Sequence, residues 1–126
     1  MGLNKRETGE KYEGVACEYL EREGFRVVER NFRCRQGEVD VVGWHEGYLV
    51  FVEVKYRAAG SKGAAAEAVT YAKQKRICRV ADYYRYKHGI GEDKPVRYDV
   101  VAIEGKDDVS VVWYKNAFWH IYAGRK

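Results

Sequence analysis

The chain has 126 residues, 46% hydrophobic and 33% charged, enough for a packed core and too apolar for a disordered chain. No apolar run approaches the roughly 20 residues of a membrane span, and the opening "MGLNKRETGEKYEG" has no apolar centre of an export signal. The net charge is +4 but uneven: residues 1–24 hold four basic and six acidic side chains (−2), residues 54–97 eleven basic and four acidic (+7), so the middle of the chain either meets a polyanion or is a solvated helix face.

In chain order, Tyr12, Val15, Ala16, Tyr19 and Leu20 repeat at the spacing of one buried helical face. Thr8 is the expected N-cap and Gly24 the stop. Glu13 falls at the edge of the apolar stripe rather than on the solvent side. Residues 25–33, "FRVVERNFR", read as a strand and "CRQG" as a loop. "EVDVVGW" and "YLVFVEVKY" read as a hairpin around the short turn "HEG". "RAAGSKGAAAEAV" is a small-residue connection.

A second helix is expected over residues 71–88, with Thr70 as N-cap and Val69, Ile77, Val80, Ala81 and Tyr84 on its buried face. Tyr83, Tyr84 and Tyr86 are expected to pack rather than to stack on bases. "GIGEDKP" ends that helix, and "VRYDVVAI" and "VSVVWY" are two more strands about the turn "EGKDD". The closing "KNAFWHIYAGRK" has no assignment, beyond packing of Phe118 and Trp119. Helix, three strands, helix, two strands predicts one α/β domain over residues 1–126, a mixed sheet flanked by helices.

Cys17, Cys34 and Cys78 are odd in number and form no CxxC pair. Reduced thiols in a cytoplasmic protein are therefore expected, not disulfides or zinc. His45, His88 and His120 are scattered.

The hairpin carries an unusual load. Residues i and i+2 share a strand face, so Glu38 pairs with Asp40, and Glu53 with Lys55, while Val39, Val41, Val52 and Val54 take the opposite side. Three carboxylates in one apolar patch repel one another and need positive charge. Lys55 supplies one unit. A hard divalent cation, Mg²⁺ or Mn²⁺, suits carboxylate oxygens in the absence of an imidazole or thiolate set, and could activate water and clamp a phosphate. The same side chains could instead face water as ordinary cross-strand pairs.

Asp40 followed by Glu53-Val54-Lys55 resembles the D…ExK core of the restriction-endonuclease-like superfamily. The chain more closely resembles the bacterial YraN-like family, which is similar to archaeal Holliday junction resolvases. "TGEKYEGVACEYLEREGF", "RNFRCRQGEVDVV", "LVFVEVKYR", "AVTYAKQKRI", "RYDVVAI" and "KNAF" match its blocks in order. The resemblance implies a restriction-endonuclease-like mixed sheet flanked by helices. It further implies Glu13, Asp40 and Glu53 as metal-site carboxylates, with Lys55 as the catalytic lysine. Glu38 would be either an outer partner of the metal or a strand-edge ion pair. The chain departs from the family at Tyr71, where proline is frequent, which leaves the placing of Lys73 open.

Lys73 breaks the apolar stripe between Val69 and Ile77. It either snorkels to water or enters the carboxylate site from the helix N-terminus, with Gln74 beside it. Arg57, Lys62, Lys75, Arg76 and Arg79 are the expected contacts to a nucleic-acid backbone, sequence-independent in kind. Two functions follow: a Mg²⁺- or Mn²⁺-dependent DNA endonuclease, acting on branched or repair-intermediate DNA, or a non-catalytic nucleic-acid-binding module on a nuclease fold. A homodimer is expected by analogy with the resolvases.

Overall fold

The structure is a computed structural model describing residues 5–57, 69–105 and 108–124. Its elements are α1 (Lys5–Arg22), β1 (Arg26–Cys34), β2 (Gly37–His45), β3 (Tyr48–Arg57), α2 (Tyr71–His88), β4 (Val96–Glu104) and β5 (Ser110–Phe118). The five strands form one sheet in the order β1-β2-β3-β4-β5. Only β3 and β4 run parallel, as the crossover through α2 between them allows; β1–β2, β2–β3 and β4–β5 are antiparallel.

The two helices cover opposite faces. Tyr12, Ala16, Cys17 and Leu20 of α1 bury Val41, Val50, Val52, Val101 and Ile103. Ile77, Cys78, Val80, Ala81 and Tyr84 of α2 bury Val42, Leu49, Phe51, Tyr98 and Val100. Strands covered on both sides cannot alternate apolar with polar. That is why "LVFV" in β3 and "VV" in β4 are continuous apolar runs, with Leu49 to Val52 all buried.

Both helices follow the sequence pattern, with differences at their ends. Thr70 does cap α2, its side chain accepting from Lys73 N at 3.2 Å. Thr8 lies inside α1, which already begins at Lys5, so it is not a cap. Gly24 has φ 94° and turns the chain out of α1, a conformation with no steric penalty for glycine. The fifth strand is longer than expected and takes in Lys115 to Phe118. Phe118 packs, as expected; Trp119 is 78% exposed, because the chain leaves the sheet after Phe118. Tyr84 packs, but Tyr86 is 84% exposed: two positions on, it has rotated off the helix's buried face.

Val39 is a further difference. Val41, Val52 and Val54 lie on the α1 side, while Val39 belongs to the core beneath α2. The pairing of β2 with β3 ends at Val41↔Val52, so the start of β2 is held by β1 alone and is free to twist.

Gly43 fits where no other residue can. A Cβ there would run into the backbone oxygen of Arg26 and the ring of Phe25. Gly43→Ala is expected to destabilise the protein by about 1–3 kcal/mol, the usual penalty for overpacking, read from urea denaturation; an unchanged midpoint would show that β1 yields freely.

Candidate active site

Where β2 leaves β3, the backbone N–H of Val54 loses its ladder partner. Asp40 replaces it: its Oδ2 accepts from Val54 N at 2.7 Å. The carboxylate is thereby fixed in the opening between the strands. Glu53 precedes Val54 on the buried centre of β3 and points to the α2 side, where Lys73 Nζ forms an ion pair with its Oε2. Lys73 thus breaks the apolar stripe in order to reach a buried carboxylate. Lys55, two residues along the same face of β3, lies within range of the Lys73 charge. Asp40, Glu53, Lys55 and Lys73 are therefore gathered at one end of the sheet.

Glu13 comes from the other face. It lines a cavity of ≈ 480 Å³ with Glu10, Asn31, Arg33, Glu38 and Asp40. A cavity of ≈ 600 Å³ opens on the α2 side, lined by Arg33, Glu38, Asp40, Glu53, Lys73 and Arg76 among others. Asp40, Glu38 and Arg33 are common to both, so the two hollows meet there. The smaller is lined by four carboxylates and Arg33, the larger by three carboxylates and three cations.

The charges follow from these positions. Burial, then hydrogen bonding and repulsion from Glu53, push the Asp40 carboxyl from its ordinary 3.8 up to about 8, against the pull of the Val54 N–H. Burial and like-charge repulsion thus favour the protonated form of Asp40 while the site holds no cation. Burial also raises Glu13, opposed by a hydrogen bond from Asn31 and the charge of Arg30. Burial and the neighbouring Lys73 charge lower Lys55. Burial alone would lower Lys73; contact with Glu53 outweighs it and raises that ammonium.

Two buried acids show how unusual this end of the sheet is. Asp99 is 1% exposed, and both its oxygens are satisfied by Arg97, Trp113 Nε1 and the Asn116 backbone. Glu53 is 5% exposed, yet its Oε2 has only the ion pair with Lys73 and no well-directed hydrogen bond. Glu13 Oε1 is also buried without a hydrogen-bond partner. Buried oxygens left so are uncommon in native proteins and point to a role other than packing.

Glu13 Oε1 and the lysine-paired Glu53 Oε2 are oxygens of the kind that fit a hard cation. Mg²⁺ is commonly held by one or two carboxylates together with water and phosphate, which Asp40 and Glu53 could provide. Among the described residues, no three carboxylate, imidazole or thiol side chains already form a cage; Glu13 stands across Asp40 from Glu53.

The remaining expected residues divide. Glu38 makes a strand-edge ion pair with Arg33, its cross-strand neighbour, at 3.0 Å. Gln74 turns away from the carboxylates and donates to the Val69 carbonyl at 3.0 Å, tying down the approach to α2. Arg76 is exposed on the cleft wall. Lys75 lies 5.8 Å over the Tyr71 ring. Arg79 binds the Ile121 carbonyl and Asp82, and so anchors the C-terminal segment. Arg57 ends β3 and its carbonyl accepts from Gly105 N; Lys62 lies outside the described residues.

Two site residues were not singled out from the sequence. Asn31, at φ 55° within β1, hydrogen-bonds Glu13, and Asn is among the few residues at ease in that backbone region. Arg33 lines both cavities. Both sit in the quoted block "RNFRCRQGEVDVV", whose only nominated residues were Glu38 and Asp40.

Residues 12–103 match the family described as Uncharacterised protein family UPF0102. Relatives include UPF0102 proteins of Lachnoclostridium phytofermentans, 44% identical over 92% of this chain and 96% of that protein, and of Nitrosococcus oceani, 40% identical over 90% and 92%. Among solved structures, the chain is similar to a repair endonuclease from Pyrococcus abyssi, with 19% identity and TM-score 0.44, over 85% of this chain and 42% of that one. It is also similar to Pyrococcus furiosus SfsA in complex with Ca²⁺, with 12% identity and TM-score 0.38, over 90% and 64%. At those scores neither likeness fixes a fold or a chemistry.

An acid raised on folding favours the folded state most below its unfolded pKa and loses that contribution as pH rises through its folded pKa. With Asp40 at about 8 against 3.8, cation-free protein is expected to lose stability between about pH 4 and 8, by up to about 1.4 kcal/mol per pH unit from this group. Asp40→Asn removes that part of the slope. Urea denaturation across pH 5–9 in EDTA measures it; identical slopes in the two proteins contradict it.

Proposed function

The chain belongs to the family UPF0102, and from that premise we propose that it is a Mg²⁺- or Mn²⁺-dependent endonuclease that hydrolyses DNA phosphodiester bonds. The observation carrying this reading is the buried Asp40–Glu53 pair, with Glu53 Oε2 incompletely satisfied and two lysines beside it. It matches the D…ExK likeness of the sequence residue by residue, and the five-stranded mixed sheet flanked by helices agrees with the expected nuclease-like domain.

Asp40 and Glu53 would hold the ion, with Glu13 as an outer partner reached from the neighbouring cavity. When bound, such an ion supplies a more acidic water and a charge for the phosphate oxygens. Asp40 is fixed for this by the Val54 N–H, on a rigid strand rather than a loop. Lys55, whose proton is loosened by burial, is suited to orient the attacking water and to stabilise charge developing on phosphorus. Arg33 and Arg76 line the cleft and would bind flanking phosphates without reading bases. Arg79, engaged with Ile121 and Asp82, is withdrawn from that set. Branched or repair-intermediate DNA is the proposed substrate, a cytoplasmic setting the proposed location, and pairing of two copies the proposed means of cutting two strands.

A second reading has its own support. The carboxylates do not form a ready cage, so the protein could bind nucleic acid and cut only with a partner that completes the site. Cleavage of labelled duplex, single-stranded, flap and four-way-junction DNA with Mg²⁺ or Mn²⁺ separates the two. The nuclease reading expects wild type to cut at least one substrate, and Asp40→Asn and Lys55→Ala to lose at least about a hundredfold in rate, the scale of removing one charge-stabilising group. Binding by all three proteins with cleavage by none supports the binding module.

A further inference from the structure

Lys73 occupies the place where positive charge is needed. It belongs to the first turn of α2, where Thr70 fixes its backbone through the cap bond. Its ammonium meets Glu53, whose side chain is 6% exposed, while its own side chain is 34% exposed and lines the larger cavity. The two partners are thus unequal. Glu53 is fixed on β3 by its pairing with β4, whereas Lys73 has a long flexible stem and an open route into the cleft.

Two ammonium groups, Lys55 and Lys73, face the two carboxylates of Asp40 and Glu53. A divalent ion added to that pair would put excess positive charge in a half-buried space. Of the cations there, Lys73 has the direct contact with Glu53 Oε2, the oxygen left without a directed hydrogen bond. An ion that takes this oxygen must displace it.

Resting on the nuclease reading above, we propose that Lys73 is a displaceable internal cation. It neutralises Glu53 while the site holds no divalent ion. It competes with that ion for the carboxylate, and on release swings into the cleft beside Arg33 and Arg76 to meet a phosphate oxygen of the nucleic-acid strand. Cation and strand are thereby coupled. Lys73 would leave Glu53 for a phosphate more readily with a cation bound there, and Glu53 would accept a cation more readily with Lys73 drawn to a phosphate; such linkage is reciprocal.

The test is Mn²⁺ affinity without DNA, from the paramagnetic resonance signal of free Mn²⁺, for wild type, Lys73→Met and Lys73→Arg. Methionine keeps an apolar stem of similar length and removes the charge. The proposal expects Lys73→Met to bind Mn²⁺ about tenfold more tightly, a moderate coupling factor, and Lys73→Arg to stay near wild type. Ca²⁺-stimulated binding of a labelled DNA duplex should be lost in Lys73→Met. Equal Mn²⁺ affinity in wild type and Lys73→Met would make Lys73 a packing residue, and weaker affinity in Lys73→Met would make it a support of the ion site; either overturns the proposal and leaves the nuclease reading standing. No Mn²⁺ binding by wild type, with or without DNA, overturns both.

Discussion

Two carboxylates held side by side in a low-dielectric interior dominate this protein. Charged oxygens at such a distance repel, and burial removes the water that would screen them. The chain answers with an Asp40 carboxyl whose pKa is raised, a backbone N–H from Val54 and the ammonium of Lys73. These measures make the fold tolerable without completing the hydrogen bonding of Glu53. A protein needing only a stable sheet would gain by placing an apolar residue there, since replacing a buried ionic group with a well-packed apolar one is often neutral or stabilising. On the nuclease reading proposed above, the pair stands ready for a cation.

The rest of the architecture serves that end of the sheet. β3 can carry Glu53 at its centre because Leu49 to Val52 are packed under both helices. β2 must part from β3 for Asp40 to turn into the gap, and pairing with β1 holds it once it has parted. The α1 face of the same sheet has a different character, with Asp99 paired to Val52 beside Glu53. His45, Arg97, Asp99 and Trp113 form a buried polar group in which the acid is fully hydrogen-bonded, the ordinary way of burying charge. The contrast within one sheet separates structural ionisable groups from those available for chemistry.

Much of this was legible in the sequence, and for identifiable reasons. The α2 boundaries and its buried face followed from a strict helical repeat with a capping threonine, and both proved right at Thr70, Ile77, Val80 and Tyr84. Lys73 was visible as an error in that repeat, and its partner explains the error. What could not be read depended on tertiary events. Alternation put Val39 with Val41, but the parting of β2 from β3 twisted Val39 to the other core. Asn31 gave no pattern signal, because its value lies in a left-handed backbone angle that aims its side chain at Glu13. Arg79 looked like its basic neighbours on the helix, but Asp82 and the C-terminal segment returning over α2 both engage it.

The central claim is that the Asp40–Glu53 pair is a cation site closed by Lys73. Its most direct measurement is anomalous diffraction at the manganese edge from crystals of wild-type protein grown with Mn²⁺. The account predicts an anomalous peak in contact with both Asp40 and Glu53, with the Lys73 ammonium withdrawn from Glu53 into the cleft. A peak elsewhere, or no peak with Lys73 still against Glu53 at saturating Mn²⁺, would contradict it.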